Sequence, residues 1–134
     1  MNVLFVCNGN VARSQEAEIF FNTLKEKDDT IARSGGINVK LGKSIDPLVI
    51  EVMSEVGFDI SSATRKFADE RLVQEADLVV SFKPKDELPD YLAQHDNIRF
   101  WEVADPQHQP IEFHRDVRDD VKKRVTSLVE ELNV

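Results

Sequence analysis

The 134-residue chain carries a formal net charge of −8, with 41% apolar and 31% charged residues. This length and composition are typical of a globular protein with a buried core, and we expect residues 1–134 to form a single domain. The acidic balance argues against nucleic acid and against an anionic membrane surface as partners. A single cysteine, Cys7, excludes an internal disulfide and a cysteine-based zinc site.

The apolar pattern predicts strands that alternate with helices. In chain order we predict a strand at residues 3–6, a helix at 17–24, a strand at 30–34, a turn at Gly35 and Gly36, helices at 46–57 and 66–74, strands at 78–81 and 98–103, and a helix at 113–132. The first strand is too short for a signal peptide or a membrane span, so we expect a cytoplasmic protein with a reduced thiol. Asp46 and Pro47 provide an N-cap and a first-turn proline for the second helix, and Gly57 ends it.

Alternation of this kind predicts an α/β fold of three layers, with a four-stranded parallel sheet between helices on both faces. Ligands of such folds bind beyond the carboxyl ends of the strands.

The segment between the first strand and the first helix carries the chemistry. We predict that it binds a tetrahedral oxyanion through Asn8, Gly9, Asn10, Val11, Ala12, Arg13 and Ser14. Gly9 can adopt a positive φ, and Asn10 tolerates the left-handed region, so successive backbone N–H groups can turn inward around an anion. The N-terminus of the following helix adds its dipole.

Three side chains have predicted roles in this loop. Cys7 lies where the helix dipole and the amides favour a nucleophilic thiolate. The planar fork of Arg13 can bind two oxygens of the transition state, and the hydroxyl of Ser14 can donate to the thiolate. A lone Cys7 is more often a buried core thiol, and a lone arginine is usually solvated; their combination in one strand-to-helix turn favours a catalytic site.

A leaving alkoxide needs a proton, and Asp105 is the candidate general acid because it follows the fourth strand at the same edge of the sheet. An ordinary Asp-Pro turn is the alternative. His95, His108 and His114 have no metal-ligand spacing and are interpreted as surface residues.

These motifs resemble the low-molecular-weight protein tyrosine phosphatases and their relatives, the thiol-coupled arsenate reductases. The resemblance covers nearly the whole chain, through Cys-x-Gly-Asn-x-x-Arg-Ser at residues 7–14, Ala17-Glu18, Ser34-Gly35-Gly36, Asp46-Pro47, residues 57–61, Glu75-Ala76-Asp77 and Asp105-Pro106. It implies a four-stranded parallel sheet, a phosphocysteine on Cys7, oxyanion binding by Arg13 and the loop amides, and Asp105 as the acid.

The residues that distinguish the two branches of the family give conflicting indications in this chain. Gln15 is common in the reductases, whereas the phosphatases usually have proline there. The thioredoxin-coupled reductases carry further cysteines after the third strand, and this chain has none, so only an external thiol could complete a reductase cycle. Gln107 and His108 stand where the tyrosine phosphatases usually carry tyrosines.

Asn10, Glu18, Ser34 and Asp59 match positions that resemble a potassium site in some reductases. Ordinary polar contacts behind the loop are the alternative, and we predict neither a catalytic metal nor an organic cofactor.

The sequence thus predicts a cysteine-dependent phosphatase that hydrolyses phosphate monoesters, phosphotyrosine in proteins among them. An arsenate reductase that uses an external thiol is the second hypothesis. A non-catalytic oxyanion-binding regulatory module is the third, and the joint presence of Cys7, Arg13 and Asp105 argues against it.

Overall fold

The computed structural model describes residues 1–134 and contains one sheet of four parallel strands. The strands are β1 (Asn2–Cys7), β2 (Ile31–Gly36), β3 (Leu78–Ser81) and β4 (Ile98–Phe100), in the order β2-β1-β3-β4. The predicted α/β class and parallel four-stranded sheet are therefore confirmed.

Helices cover both faces of this sheet. They are α1 (Arg13–Leu24), α2 (Pro47–Ser54), α3 (Glu70–Glu75), α4 (Asp90–Ala93) and α5 (Ile111–Leu132). The larger core joins one face of the sheet to α1, α2 and α5, and the smaller core joins the other face to α3 and α4. None of these helices combines the length and the apolar run that a membrane crossing would need.

Strand β1 explains why its sequence is a continuous apolar run. Val3, Phe5 and Cys7 belong to the larger core, while Leu4 and Val6 belong to the smaller one. Because successive side chains of a strand point to opposite faces, a central strand in a three-layer fold must be apolar at every position.

The position of β1 determines where a ligand can bind. The chain leaves β1 to form its neighbour β2 on one side and later returns to form β3 on the other. A crevice opens at the carboxyl end of a strand where the winding reverses in this way. Cys7 is the last residue of β1 and lies at this crevice.

Four predicted boundaries are wrong. Helix α1 begins at Arg13 instead of residue 17, and helix α2 ends at Ser54 instead of Gly57. Strand β4 ends at Phe100 instead of residue 103, because after Trp101 donates to Ser81 the chain turns away from the sheet towards the crevice. Helix α3 begins at Glu70, with Asp69 as its N-cap, instead of at residue 66. The short helix α4 and a 3₁₀ turn at Lys85–Glu87 were not predicted, since they are too short to show a period.

The prediction of a turn at Gly35 and Gly36 is also wrong, because both residues extend β2 to its end. Glycine is required there by close approach of neighbouring backbone. A Cβ atom on Gly36 would lie 2.6 Å from the carbonyl oxygen of Asn8, and one on Gly35 would lie 2.8 Å from the amide nitrogen of Ala68. The loop after β1 is thus packed directly against the end of β2.

This packing yields a paired prediction. We expect Gly35→Ala and Gly36→Ala each to lower the free energy of unfolding by about 1–3 kcal/mol, as overpacking does, measured by chemical denaturation. Only Gly36→Ala places its methyl group against the loop backbone, so it alone should also weaken inorganic phosphate binding, by at least about tenfold. Equal phosphate affinity in the two variants would contradict the loop contact.

Candidate active site

The loop after β1 folds around the sulfur of Cys7. Asn10 adopts the left-handed region, with a φ of 54°, as its residue type allows. The expectation that Gly9 also has a positive φ is wrong; its nearest constraint is the side chain of Val11, 3.3 Å from where a Cβ would stand. Helix α1 begins immediately afterwards at Arg13, and Ala12 at its N-cap position has no side chain that could occupy the amides of the first turn.

Two donors hold the sulfur of Cys7. The Ser14 Oγ lies 2.9 Å from Sγ, and the main-chain N–H of Asn10 donates to Sγ over 3.3 Å. Because a thiolate can only accept, the Ser14 hydroxyl donates to it in the ionised state. Both donors are therefore in place to contact the charged sulfur of a thiolate, which is the nucleophile in cysteine chemistry.

The side chain of Asn10 is the centre of a buried hydrogen-bond network. Its Nδ2 donates to Ser14 Oγ over 2.8 Å and to Ser34 Oγ over 3.1 Å. Its Oδ1 accepts from Gln15 Nε2 and from the main-chain N–H of Lys66, both over 2.8 Å. The loop is therefore tied to α1, to β2 and to the segment that precedes α3.

Arg13 is buried and anchored from behind the site. Its Nη1 donates to the carbonyl oxygen of Val103 over 3.0 Å, and its guanidinium carbon lies 5.8 Å from the ring centroid of Phe82. These contacts hold the planar fork in place, which lowers the entropy lost when it binds an oxyanion.

Asp105 lies at the rim of the site. Its Oδ2 is 3.6 Å from Arg13 Nη2, its Oδ1 accepts from the main-chain N–H of Gln107, and 49% of its side chain is exposed. The structure thus brings Asp105 to the same cleft as Cys7, as the sequence predicts, in contact with solvent on one side.

These residues line a cleft of about 390 Å³. Its wall is mostly polar and also contains the N-cap residue Asp46, together with residues that the sequence did not single out, namely Asn38, Lys40, Val49 and Arg65. They come from loops and from helix α2, all distant in sequence from Cys7, so no local motif could have identified them as part of the site. No Phe, Tyr or Trp side chain lines the cleft, whereas Gln107 and His108 do.

The four residues of the potassium-like set have partners within the chain. Asn10 bonds Ser34 as described, and Asp59 accepts from the hydroxyl of Ser61. The ammonium group of Lys66 lies 2.9 Å from a carboxylate oxygen of Glu18. These contacts match the alternative of ordinary polar interactions behind the loop.

The histidine interpretation holds for one residue and fails for another. His108 is exposed, and half-buried His95 contacts the carbonyl oxygen of Ala76. His114 is only 1% exposed, because it faces the sheet side of α5, and it borders the cleft. Its position in the apolar stripe, three residues before Val117 and seven before Val121, was the signal for burial.

Comparisons with known proteins agree with this geometry. A family model described as low molecular weight phosphotyrosine protein phosphatase matches residues 2–134. Arsenate reductase 2 of Staphylococcus haemolyticus is 32% identical over 126 residues, which cover 93% of each chain. The crystal structure of a low molecular weight protein tyrosine phosphatase from T. tengcongensis is similar at a TM-score of 0.85, with 30% identity over 98% of this chain and 99% of that one. An arsenate reductase in a phosphate-binding state gives a TM-score of 0.82, with 33% identity over 97% of each chain.

An acidic side chain buried behind the loop was missed at the sequence level. Glu16 lies in the first turn of α1, is 0% exposed, and has no hydrogen-bond partner for either carboxyl oxygen. Burial raises its pKa to about 8, against the opposing influence of Arg118 and Arg13. Its spacing of four residues before Phe20 places it on the apolar face of α1, which was the available signal.

The raised pKa predicts how stability depends on pH. An unfolded chain releases the Glu16 proton near pH 4.5 and the folded chain near pH 8, so the native state binds more protons in this window and loses stability as the pH rises. Relative to Glu16→Gln, the wild type should keep its full stability below this window and lose up to about 5 kcal/mol of unfolding free energy across it. Urea denaturation of both proteins at several pH values measures the difference, and parallel profiles would contradict a protonated buried acid.

Proposed function

The chain belongs to the low molecular weight phosphotyrosine protein phosphatase family, and from this premise we propose that it hydrolyses phosphate monoesters through a phosphocysteine on Cys7. The observation that carries the proposal is the sulfur of Cys7, which has two hydrogen-bond donors and lies in one cleft with Arg13 and Asp105. A nucleophile, an oxyanion ligand and an acid are the groups that phosphoryl transfer to sulfur needs.

In the first step the Cys7 thiolate attacks phosphorus, and the bond from phosphorus to the ester oxygen breaks. Arg13 and the amides of residues 8–14 bind the equatorial oxygens, on which negative charge is spread in the transition state. The anchoring of Arg13 to the carbonyl of Val103 supports this role, because a fixed donor needs no reorganisation during the reaction.

Asp105 supplies the proton. As a neutral acid it protonates the leaving alcohol, and as a carboxylate it then accepts a proton from the water that hydrolyses the phosphocysteine. Its half-exposed position at the rim supports both roles, since leaving group and incoming water reach the phosphorus atom from the open side of the cleft.

Arsenate reduction is the second candidate, and two observations favour it. The 32% identical relative from Staphylococcus haemolyticus is an arsenate reductase. Gln15, the residue that distinguished the branches in the sequence, is buried and bonds both Asn10 and the carbonyl oxygen of Thr64. In this reaction Cys7 would form a thiol–arsenate adduct, and an external thiol would attack the Cys7 sulfur, release arsenite and form a mixed disulfide with Cys7. A second equivalent of external thiol would then reduce this disulfide and restore the Cys7 thiol.

The substrate is thus a phosphate monoester, or arsenate with an external thiol as the runner-up. The absence of Phe, Tyr and Trp from the cleft wall gives no preferred stacking surface for a phosphotyrosine ring, so we expect phosphoprotein hydrolysis without strong aryl selectivity. The cytoplasm is the expected compartment, because the reaction requires Cys7 to stay reduced. A non-catalytic oxyanion-binding module would bind phosphate yet show neither activity.

The proposed binding of the oxyanion by the guanidinium group of Arg13 gives a first test. Lysine keeps the charge but not the planar fork, so Arg13→Lys should lower kcat/KM by about a hundredfold or more. Arg71→Lys is a matched control because Arg71 is exposed and pairs only with Glu75 on the same helix; it should leave kcat/KM unchanged. A loss below about fivefold at Arg13 would make this arginine structural only.

The role of Asp105 separates the two reactions. With a series of aryl phosphates, Asp105→Asn should lose roughly 10²–10⁴-fold in kcat for poor leaving groups. Where phosphorylation of Cys7 limits turnover, the loss should be much smaller for p-nitrophenyl phosphate, because p-nitrophenolate departs without a full proton.

Arsenate reduction assayed on the same samples with several thiols completes this test. Negligible arsenate turnover beside a steeper leaving-group dependence supports the phosphatase. Robust thiol-dependent arsenate reduction, beside weak phosphatase activity indifferent to Asp105→Asn, would replace it with the reductase. Phosphate binding with neither activity would leave the regulatory module.

A further inference from the structure

Glu16 and His114 are the only buried side chains of the molecule whose polar atoms lack hydrogen-bond partners. Both are located next to the proposed anion site. Glu16 follows Arg13 by three residues, which places the two side chains on the same face of α1, and His114 borders the cleft itself. Unpartnered polar groups are rare in folded proteins, and their concentration around one site calls for a functional explanation.

The charged groups that act on Glu16 come from two helices. Arg13 is on its own helix, α1, while Arg118 and Asp119 are on α5. Arg118 donates to Glu55 and Asp119, so its charge is already compensated.

Arg13 differs from Arg118 in this respect. Its carboxylate neighbour, Asp105, lies at 3.6 Å, beyond hydrogen-bond distance, and Arg13 lines the cleft. An ionised Glu16 would therefore find in Arg13 the nearby cation with free binding capacity.

We propose that Glu16 is a positioning residue for Arg13: as a neutral acid it leaves the guanidinium to the oxyanion, and as a carboxylate it competes with the oxyanion for it. This inference rests on the proposed anion site at Cys7 and Arg13. Burial favours the neutral form at neutral pH, where the pKa of Glu16 is raised to about 8. The acidic chain thereby keeps a negative charge out of its own anion site.

Binding and ionisation are then linked in both directions. A bound dianion disfavours the Glu16 carboxylate, so anion binding near pH 8 must take up a fraction of a proton, and loss of this proton must weaken anion binding. The coupling predicts that affinity falls on the order of tenfold as Glu16 ionises.

Sulfate is a suitable probe because it is tetrahedral and remains a dianion throughout the range in question. The experiment is done on the full chain with Cys7→Ser, which removes the titration of the thiol. Isothermal calorimetry of sulfate between about pH 6.5 and about pH 9.5, in buffers of different ionisation enthalpy, gives both the affinity and the protons taken up. The same measurement is made after adding Glu16→Gln, Glu16→Met or, as a matched control, Glu130→Gln at an exposed position of α5.

As the pH rises over this range, we expect sulfate affinity to fall on the order of tenfold more in the parent and in the Glu130→Gln control than in the Glu16 variants. Proton uptake near pH 8 should be seen only when Glu16 is present. Two Glu16 variants are used because one of them can fail to fold. If Glu16 affected only stability, the pH profiles of sulfate affinity would be parallel in all the proteins. Parallel profiles, with sulfate bound in every protein, would overturn the inference and leave the anion site intact. Absence of sulfate binding at every pH in all folded proteins would overturn the proposed anion site and this inference with it.

Discussion

The buried side chain of Asn10 is the constraint on which the site depends. Its amide group donates to Ser14 and Ser34 and accepts from Gln15 and Lys66, so a single residue ties the loop to three other segments of the chain. Its left-handed backbone turns its own N–H towards the sulfur of Cys7. Because every donor and acceptor of this amide is satisfied in a buried setting, the network is worth more than its separate bonds and holds the loop in one shape. The preorganisation that oxyanion stabilisation requires is thus built behind the loop, away from the substrate.

Electrostatics impose the second requirement, since a chain with a net charge of −8 has to bind an anion. The positive groups are gathered locally: the uncapped N-terminus of α1, the anchored guanidinium of Arg13, and Lys40 and Arg65 from the facing loops of the cleft. Burial of Glu16 contributes because it keeps this carboxyl group neutral next to the site, where a negative charge would repel the anion. The packing of α1 against α5 that buries Glu16 therefore also keeps its carboxyl group neutral.

The phosphatase and reductase reactions both begin with a covalent adduct at the sulfur of Cys7 and differ in how that adduct is resolved. A phosphatase needs a proton donor at the mouth of the cleft, which is where Asp105 lies; a reductase needs a second thiol, which this chain with one cysteine has to obtain from outside. The identity of the residues around the mouth therefore matters more for the outcome than the loop itself, which serves either reaction.

The sequence predicted the segment from Cys7 to Ser14 because strand, loop and helix follow one another there. It also predicted the four-stranded sheet, the capped helix at Asp46 and the long closing helix, because the apolar patterns of these elements are local. The chemistry of the segment from Cys7 to Ser14 follows from its residue types: a thiol, an arginine and an asparagine that tolerates the left-handed region, all in one turn. The features that the sequence did not predict depend on contacts between segments that are far apart in the chain. The glycines of β2 were mistaken for a turn because only the packed loop shows that no Cβ fits there. Lys40 and Arg65 enter the cleft, and Glu16 and His114 lose their solvent, only when loops and helices meet in space. Helical spacing indicates which face of a helix turns inward, but the assembled core decides whether a polar side chain on that face loses all of its solvent.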